Sequence, residues 1–320
     1  MSDLERAWQW RRNRGYFGAE AEKSGAVRVF HGPGEGQGDL ARLAIDVFGN
    51  HCWVTTWGKA NKGAIIEVSR FLADQAVESA VLLERPEHGI PSSPEILFGT
   101  PPSGRFEVRE GDARYWISLL NVKHPGLFLD HAPLREWLRT RSRGWRVLNT
   151  FAYTGSLSIA AALGEAEKVT TLDLSKPTIQ WARDNWTLNQ LSNERGEFIA
   201  ADVFEWLPKL KRSGERFDCV ILDPPSFSRG KKGDFSTAKD LQKLHELAFD
   251  VLEPGGILIT SINSANISWA RFRTDVLAAA SARKVRCAIL RELGLPETFP
   301  TRLGHEADRY LKGWMIRAER

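Results

Sequence analysis

The sequence has no apolar run long enough to cross a membrane, which takes about 20 mostly apolar residues. Its first residues, MSDLERAWQWRRNRG, have no apolar core of the kind found in a secretory signal. Cysteine is scarce, with only Cys52, Cys219 and Cys287 among 320 residues, each inside an apolar run. Thiols so few and scattered exclude a disulfide framework or a cysteine-based zinc site and predict buried side chains. We therefore expect a cytoplasmic protein that binds neither membrane nor metal.

The positive charge is small overall but unevenly placed. The formal net charge is +4, and the hydrophobic content of 42% is ordinary for a globular protein. Three basic clusters stand near aromatic residues or near candidate site segments, at residues 11–14, 139–146 and 229–232. A single such cluster is compatible with an ordinary solvated surface. Their joint occurrence favours a nucleic-acid partner.

The chain changes character along its length. Up to about residue 110 it reads as short strands separated by glycine-rich turns, with one helical stretch at 67–84. From about Arg146 strands and helices alternate, which predicts an α/β fold with a mostly parallel sheet covered on both faces. The last two strands have no helix between them and predict an antiparallel hairpin at one edge. The predicted parts are a basic aromatic arm (1–26), a small α+β domain (27–110) and a larger α/β domain (111–320).

Polar residues follow the first four strands of the larger domain, where ligands bind in such sheets. The first turn, FAYTGS, has one glycine and lacks the G-x-G-x-x-G pattern and the P-loop lysine that bind pyrophosphate. Asp173 lies 18 residues after Gly155, near the spacing expected of an acid that binds ribose hydroxyls. Asp202 then suits an adenine amino group, and Gly155 permits close backbone approach. These features point to S-adenosylmethionine, although each acid by itself also fits a helix cap.

Several segments together resemble the class I S-adenosylmethionine-dependent methyltransferases, and among them the enzymes that modify bacterial 23S ribosomal RNA. The resemblance rests on GLFLDHAPLR (126–135), VLNTFAYTGSLSIAA (147–161), DPPSF (223–227) and RYLKGW (309–314). It implies a Rossmann-like methyltransferase sheet. It also implies that the following residues border the cofactor: Phe128, Asp130, Arg135, Phe151, Tyr153, Gly155, Asp173, Asp202 and Asp223.

Two features depart from the family's pattern. Many relatives begin with a separate RNA-binding domain, whereas only about 26 residues precede the first matching strand here. Relatives also tend to have a glutamine and an arginine after FLD, where this chain has His131 and Ala132. The resemblance is therefore weakest at the N-terminus and at this turn.

Family members that methylate planar nitrogen place an acid-Pro-Pro-aromatic element after the fourth strand, which matches Asp223, Pro224, Pro225 and Phe227 here. Prolines make the turn rigid, their carbonyl groups can accept from base N–H groups, and an aromatic ring can stack on a flipped base. After the fifth strand Asn263 can orient the same base. The basic glycine-rich segment, defined as residues 229–232 with Arg229, Lys231 and Lys232, is predicted to contact RNA phosphates.

The methylated atom is predicted from what is missing beside this element. Carbon-5 of cytosine must be activated by a cysteine thiolate, and the cytosine-modifying branch of the family places that cysteine after strand five. Here that region offers serine and asparagine. We therefore predict methylation of a ring nitrogen, guanine N7, in 23S ribosomal RNA. The alternatives are a cytosine-5 RNA methyltransferase, a methyltransferase for a small molecule or protein, and an RNA-binding scaffold without turnover.

Overall fold

The computed structural model describes residues 1–17, 25–75, 77–86, 93–230, 233–263, 267–305 and 309–319, and it describes side chains outside 228–235. The α-helices in these ranges are α1 (Asp3–Asn13), α2 (Gly32–Glu35), α3 (Lys62–Asp74), α4 (Ala132–Arg141), α5 (Ser156–Leu163), α6 (Lys176–Leu188), α7 (Val203–Ser213), α8 (Thr237–Val251) and α9 (Trp269–Ala282). Short 3-10 helices lie at Gly38–Arg42 and Leu129–His131.

The strands of the first part are β1 (Ala26–His31), β2 (Leu43–Phe48), β3 (His51–Trp57), β4 (Ser79–Arg85), β5 (Glu95–Gly99), β6 (Phe106–Glu110) and β7 (Ala113–Ile117). The later strands are β8 (Arg146–Thr150), β9 (Lys168–Asp173), β10 (Gly196–Ala200), β11 (Phe217–Leu222), β12 (Phe227–Gly230), β13 (Gly233–Ser236), β14 (Leu252–Ile262), β15 (Arg286–Leu293) and β16 (Lys312–Glu319).

The chain divides into two compact units. Unit 1 comprises Met1–Ala132 and Leu295–Asp308, and unit 2 comprises Pro133–Gly294 and Arg309–Arg320. These units follow different boundaries from the predicted ranges, since unit 1 takes in both the N-terminal helix and the segment between β15 and β16. The helical stretch predicted at 67–84 is wrong beyond Asp74, because Ser79–Arg85 forms β4. Sequence periodicity also carries no signal for a segment that leaves one unit and packs in the other.

Unit 1 is built on a mixed sheet in the order β1-β2-β3-β4-β5. Strands β3 and β4 run parallel and are joined by α3, whereas the other neighbours are antiparallel. Helix α3 begins after Asn61, whose side chain accepts from the Gly63 N–H at 2.8 Å and so satisfies a helix-start donor. Strand β2 is buried along its whole length. This arrangement fits a central strand covered on both faces.

Helix α1 packs into unit 1 and does not form a separate basic arm. Leu4, Ala7 and Trp8 lie in the unit's core. Arg11 is 0% exposed, and its guanidinium has five N–H donors to satisfy. They donate to both oxygens of Glu35 at 2.7 and 2.9 Å and to the carbonyl groups of Ala7, Arg28 and Thr298. This arginine therefore holds the fold together and is closed to an RNA partner.

The basic cluster before β8 is also largely paired. The ion pairs are Arg139 with Glu136, Arg143 with Glu165, and Arg146 with Glu215. Exposed pairs of this kind contribute little stability, about 0–1 kcal/mol. They do reduce the net positive potential of the cluster. The first two basic clusters are accordingly weaker indications of RNA binding than their sequence patterns imply.

Unit 2 is built on a seven-stranded sheet in the order β10-β9-β8-β11-β14-β16-β15. The first five of these strands run parallel, and β16 runs antiparallel to both of its neighbours. Helices α7, α8 and α9 bury Leu207, Leu244 and Phe272 in one core with residues of the central strands. The predicted fold class is confirmed, including the antiparallel edge hairpin and the smaller α+β N-terminal part.

Candidate functional site

The strand order of unit 2 reverses between β8 and β11. From β8 the chain moves outward through β9 and β10, and it then returns to add β11 and β14 on the other side. In open α/β sheets the ligand crevice forms at such a switch, beyond the carboxyl ends of the strands. The turns after β8, β9, β10, β11 and β14 therefore define the candidate site. Of the sequence-predicted acids, Asp173 is the last residue of β9, and Asp202 and Asp223 lie on the turns after β10 and β11.

The turn after β8 has an unusual backbone. Phe151 and Tyr153 have positive φ angles of 54° and 50°, although both carry bulky side chains. Such conformations cost about 1–3 kcal/mol each and persist only where the surroundings impose them. Here the Tyr153 N–H donates to Asp173 Oδ2 at 2.9 Å, and the buried Asn185 donates to the Thr154 carbonyl at 2.9 Å. Two neighbouring elements thus hold the turn in a strained and defined shape.

Gly155 is required by this turn for two local reasons. Its φ angle is 79°, in the left-handed region that favours glycine. A Cβ atom at this position would lie 2.9 Å from the Cβ of Ala182 in α6. The side of Gly155 that lacks a Cβ atom thus faces α6. Helix packing and backbone conformation both explain this residue, independently of any ligand.

Asp173 ends β9, and its carboxylate accepts hydrogen bonds from two backbone N–H groups. Its Oδ1 accepts from the Ser175 N–H and its Oδ2 from the Tyr153 N–H, both at 2.9 Å. Thr178 Oγ1 lies 3.2 Å from Oδ1 but has a shorter contact, 2.8 Å, with the Ser175 carbonyl, to which it donates. A carboxylate offers about four acceptor positions. One position therefore remains on each oxygen, which suits two adjacent hydroxyl groups.

Asp202 follows β10 and forms the N-cap of α7. Its Oδ1 accepts from the Phe204 N–H at 2.8 Å, which satisfies one donor at the start of the helix. The capping role that a strand-end acid can have is thus present here. It uses one oxygen of the carboxylate and fixes its orientation at the edge of the sheet. The other oxygen, Oδ2, can accept from an amino group.

The segment after β11 combines a held acid with exposed apolar groups. Asp223 Oδ1 accepts a 2.6 Å hydrogen bond from Ser261 Oγ. Pro224 is buried, Pro225 is exposed, and Phe227 is 52% exposed at the start of β12. A phenyl ring of this exposure at the mouth of a ligand crevice can stack on a planar group.

The register of two parallel strands places Ser261 beside Asp223. Leu222 in β11 pairs with Thr260 in β14, so that Asp223 and Ser261 stand side by side at the carboxyl edge. Ser261 is 0% exposed. The preceding residue in β14, Thr260, has its side chain on the opposite face of the sheet, where its hydroxyl lies 2.8 Å from His245 Nε2. His245 Nδ1 is 2.7 Å from the Leu241 carbonyl, so Nδ1 carries the hydrogen and Nε2 accepts from Thr260.

The remaining sequence-predicted residues of unit 2 differ in how exposed they are. Asn263 is exposed directly after β14. Arg135 in α4 belongs to unit 2 and is 1% exposed. The backbone of Arg229 lies in β12, which pairs with β13 from Phe227↔Ser236 to Gly230↔Gly233. The side chain of Arg229, and Lys231 and Lys232 entirely, lie outside the described residues.

Two predicted cofactor neighbours belong to unit 1. Phe128 is 36% exposed, and its ring stacks on that of His124 with centroids 3.8 Å apart. Asp130 lies in the 3-10 helix Leu129–His131. The structure therefore brings together the predicted residues of the strand ends, while these two residues belong to the other compact unit.

Sequence reasoning missed the groups that hold the site in shape. Ser261, Asn185 and Ser175 have no motif of their own, and they act through single hydrogen bonds to Asp223, Thr154 and Asp173. Only Ser175 has a sequence signal, because a serine directly before a helical stretch is typical of an N-cap, and its side chain does accept from the Thr178 N–H. Ser261 becomes visible only once the pairing of β11 and β14 is known.

The described residues contain no helix long and apolar enough to span a bilayer. Within the same ranges, no group of three or more His, Cys, Asp or Glu side chains is arranged to hold a metal ion. The groups that the site presents are the carboxylates of Asp173, Asp202 and Asp223, the Ser261 hydroxyl and the Phe227 ring. A nucleoside with a ribose diol and no phosphate groups fits it, since the first turn offers one glycine and Asp173 keeps one acceptor position on each oxygen.

Comparison with known proteins gives the same picture. The family model described as S-adenosylmethionine-dependent methyltransferase matches residues 27–302. "Putative ribosomal RNA large subunit methyltransferase YwbD" of Bacillus subtilis (strain 168) is 30% identical over 312 residues, which cover 92% of this chain and 74% of that protein. "Ribosomal RNA large subunit methyltransferase K/L" of Chromohalobacter salexigens is 44% identical over 236 residues. That match covers 69% of this chain but only 31% of the longer relative.

Among solved structures, SMU.776 in complex with SAH superposes with a TM-score of 0.84 at 26% identity. The superposition covers 99% of this chain and 82% of that one. The family match over most of the chain, the superposition over nearly all of it and the nucleoside-type site at the sheet's switch point agree. The chain belongs to the family of S-adenosylmethionine-dependent methyltransferases.

Proposed function

We propose that this methyltransferase transfers the methyl group of S-adenosylmethionine to a ring nitrogen of a base, guanine N7, in 23S ribosomal RNA. The observation that carries the proposal is the segment from Asp223 to Phe227, which places a held carboxylate, two prolines and an exposed ring at the switch point. The relatives named as ribosomal RNA large subunit methyltransferases support RNA as the substrate class.

The cofactor is assigned to the turns on the β10-β9-β8 side of the site. Asp173 accepts from the two ribose hydroxyls through its remaining positions, and Asp202 accepts from the adenine amino group. The strained turn at Phe151, Tyr153 and Gly155 supports the methionine part. When bound, S-adenosylmethionine supplies an electrophilic methyl group. The family resemblance adds Phe128, Asp130, Arg135 and Asp223 to this set.

The base is assigned to the β11 and β14 ends of the site. Positioning is the main contribution that the protein makes, because an in-line arrangement of two reactants supplies much of the rate enhancement. The carbonyl groups of Asp223, Pro224 and Pro225 accept from the N1 and N2 protons of guanine. Phe227 stacks on the face of the flipped base, and Asn263 orients its edge.

The cysteines favour nitrogen over carbon as the methylated atom. Carbon-5 methylation of cytosine requires a thiolate that faces the base. Cys219 lies within β11, four residues before Asp223, and burial raises the pKa of its thiol. Cys52 is buried in unit 1, and Cys287 stands near the amino end of β15, where burial also raises its pKa. A ring nitrogen with an in-plane lone pair needs no such covalent activation.

Transfer assays with labelled S-adenosylmethionine separate the substrate classes. The purified protein is incubated in parallel with ribosomal RNA, with cell protein and with a small-molecule extract, and RNA is then digested to nucleosides. We expect label in RNA alone, as 7-methylguanosine. Label in protein or in the extract would favour the alternative substrates. Label recovered as 5-methylcytidine would overturn the assignment of the atom, and the absence of any label would favour a binding scaffold.

A further inference from the structure

An exposed tryptophan in unit 1 stands among basic side chains that the candidate site does not use. We define the Trp57 surface as Arg42, Trp57, Lys59, Lys62, Arg85 and Lys123. Trp57 ends β3 and is 38% exposed, although the rest of that strand is almost wholly buried. The segment that follows, 57-WGKANK-62, carries two exposed lysines and no acid.

The sheet register places two arginines beside the tryptophan. Trp57 pairs with Arg85 in the parallel ladder between β3 and β4, so their side chains point to the same face. On the other side Leu43 pairs with Thr56, which puts Arg42 next to Trp57. Arg42 Nη1 lies 3.5 Å from the position that a Cβ on Gly58 would occupy. Arg85 Nη2 donates to the Lys123 carbonyl at 3.0 Å and so joins Lys123 to the group.

The basic groups of this surface differ from two paired arginines of unit 1, Arg11 and Arg28. Arg11 and Arg28 are each locked by two hydrogen bonds to a single carboxylate. By contrast, the exposed side chains of Arg42, Lys59, Lys62 and Lys123 make no ion pair with any described residue. The acid nearest to them along the ladder, Glu84, accepts from the Ala60 N–H at 2.9 Å. Four exposed cations thus lie near Trp57 in the chain or in the sheet, and among the described residues no carboxylate forms an ion pair with them.

We propose that the Trp57 surface binds single-stranded RNA, with a base stacked on Trp57 and phosphates held by the surrounding cations. Aromatic platforms within a basic groove bind single strands in this way, because every base has a π-face and every phosphate a negative charge. The inference rests on the proposed function, since it supplies the RNA substrate with a second contact area within unit 1.

Binding of a short fluorescein-labelled oligouridylate, followed by anisotropy over a salt series, tests the surface. Removing a stacking partner costs about 1–3 kcal/mol per base, so Trp57→Ala should weaken binding about tenfold. Trp57→Phe retains a ring and should bind nearly as well as the wild type. Three phosphate contacts contribute about 2 to the salt slope on single strands. The combined Arg42→Ala, Lys59→Ala and Lys62→Ala variant should lose that amount.

A charge-matched control removes three exposed cations of unit 2, by Arg273→Ala, Lys284→Ala and Arg286→Ala. This control should leave both affinity and salt slope unchanged, and every variant should keep its affinity for S-adenosylmethionine. Equal affinity for oligouridylate in the wild type, Trp57→Ala and the three-cation variant would overturn the proposal. So would a wild-type protein that binds no oligouridylate. Methyl transfer to ribosomal RNA by that same protein decides the proposed function separately.

Discussion

Replacing Asp173 tests the cofactor site most sharply among single substitutions. Its carboxylate holds the Tyr153 and Ser175 N–H groups at 2.9 Å and keeps one acceptor position on each oxygen. Hydrogen bonds to a charged acceptor contribute about 1.5–3 kcal/mol. Asp173→Ala should therefore weaken S-adenosylmethionine binding by about 10- to 150-fold. Titration calorimetry measures this directly.

The same substitution should leave the protein folded. The two backbone N–H groups lose their acceptor, but Asp173 is only half-buried and water can replace it. We expect a loss of about 1 kcal/mol in the free energy of unfolding and a fall in Tm of about 2–4 °C. Asp173→Asn retains one carbonyl oxygen and should lose less affinity than Asp173→Ala. An exposed acid of the same unit, Glu194, provides the control Glu194→Ala, which should bind like the wild type.

The reasoning would be refuted by a folded Asp173→Ala protein whose affinity for S-adenosylmethionine equals that of the wild type. Retained affinity would mean that the ribose lies elsewhere and that Asp173 only holds the turn after β8. Competition by a nicotinamide dinucleotide would also contradict it, since the single glycine of the first turn offers no pyrophosphate cradle.

Four further predictions follow from the same geometry. Ser261→Ala removes the 2.6 Å hydrogen bond to Asp223; kcat should fall about tenfold with little change in cofactor affinity, and Ser261→Thr should restore it. Replacing all three cysteines by alanine should preserve methyl transfer, and trapping of a thiol-linked RNA adduct would contradict this. Alanine at the three cations of the basic glycine-rich segment should lower the salt slope of RNA binding by about 2 and leave cofactor affinity alone; an unchanged slope would place the phosphates elsewhere. Burial lowers the pKa of His245 to about 4, so that below about pH 6.5 the unfolded chain binds a proton that the folded protein does not. The free energy of unfolding, measured in urea, should therefore fall from about pH 6.5 towards about pH 4, and it should fall less in His245→Gln. The same pH dependence in both proteins would contradict this.

Much of unit 2 could be predicted from the sequence because its signals are local. Strand–helix alternation predicts the parallel sheet, and the acids at strand ends mark the carboxyl edge without knowledge of strand order. The structure adds the order itself, which puts Phe151 and Asp223 directly after adjacent strands, β8 and β11, at the switch point. The local pattern and the global topology agree, as expected for a sequence that specifies one fold.

The features that escaped prediction depend on contacts between distant parts of the chain. Arg11 reads as a solvated cation, yet one of its acceptors is the carbonyl of Thr298, 287 positions away. The bond from Ser261 to Asp223 spans 38 positions and depends on the register of β11 and β14. Composition and periodicity contain no information on either pairing. The same limit explains why Arg11 counts towards a basic cluster in the sequence, whereas the structure buries it in unit 1.

Nucleoside mass spectrometry of 23S ribosomal RNA tests the central claim most directly. The RNA is isolated from a strain that lacks this protein, from the parent strain, and from the deletion strain supplied with either the wild-type protein or its Asp173→Ala variant. The account predicts that one 7-methylguanosine is missing in the deletion strain, is restored by the wild-type protein and is not restored by the variant. An unchanged 7-methylguanosine content together with a missing 5-methylcytidine, or no change in the RNA at all, would contradict it.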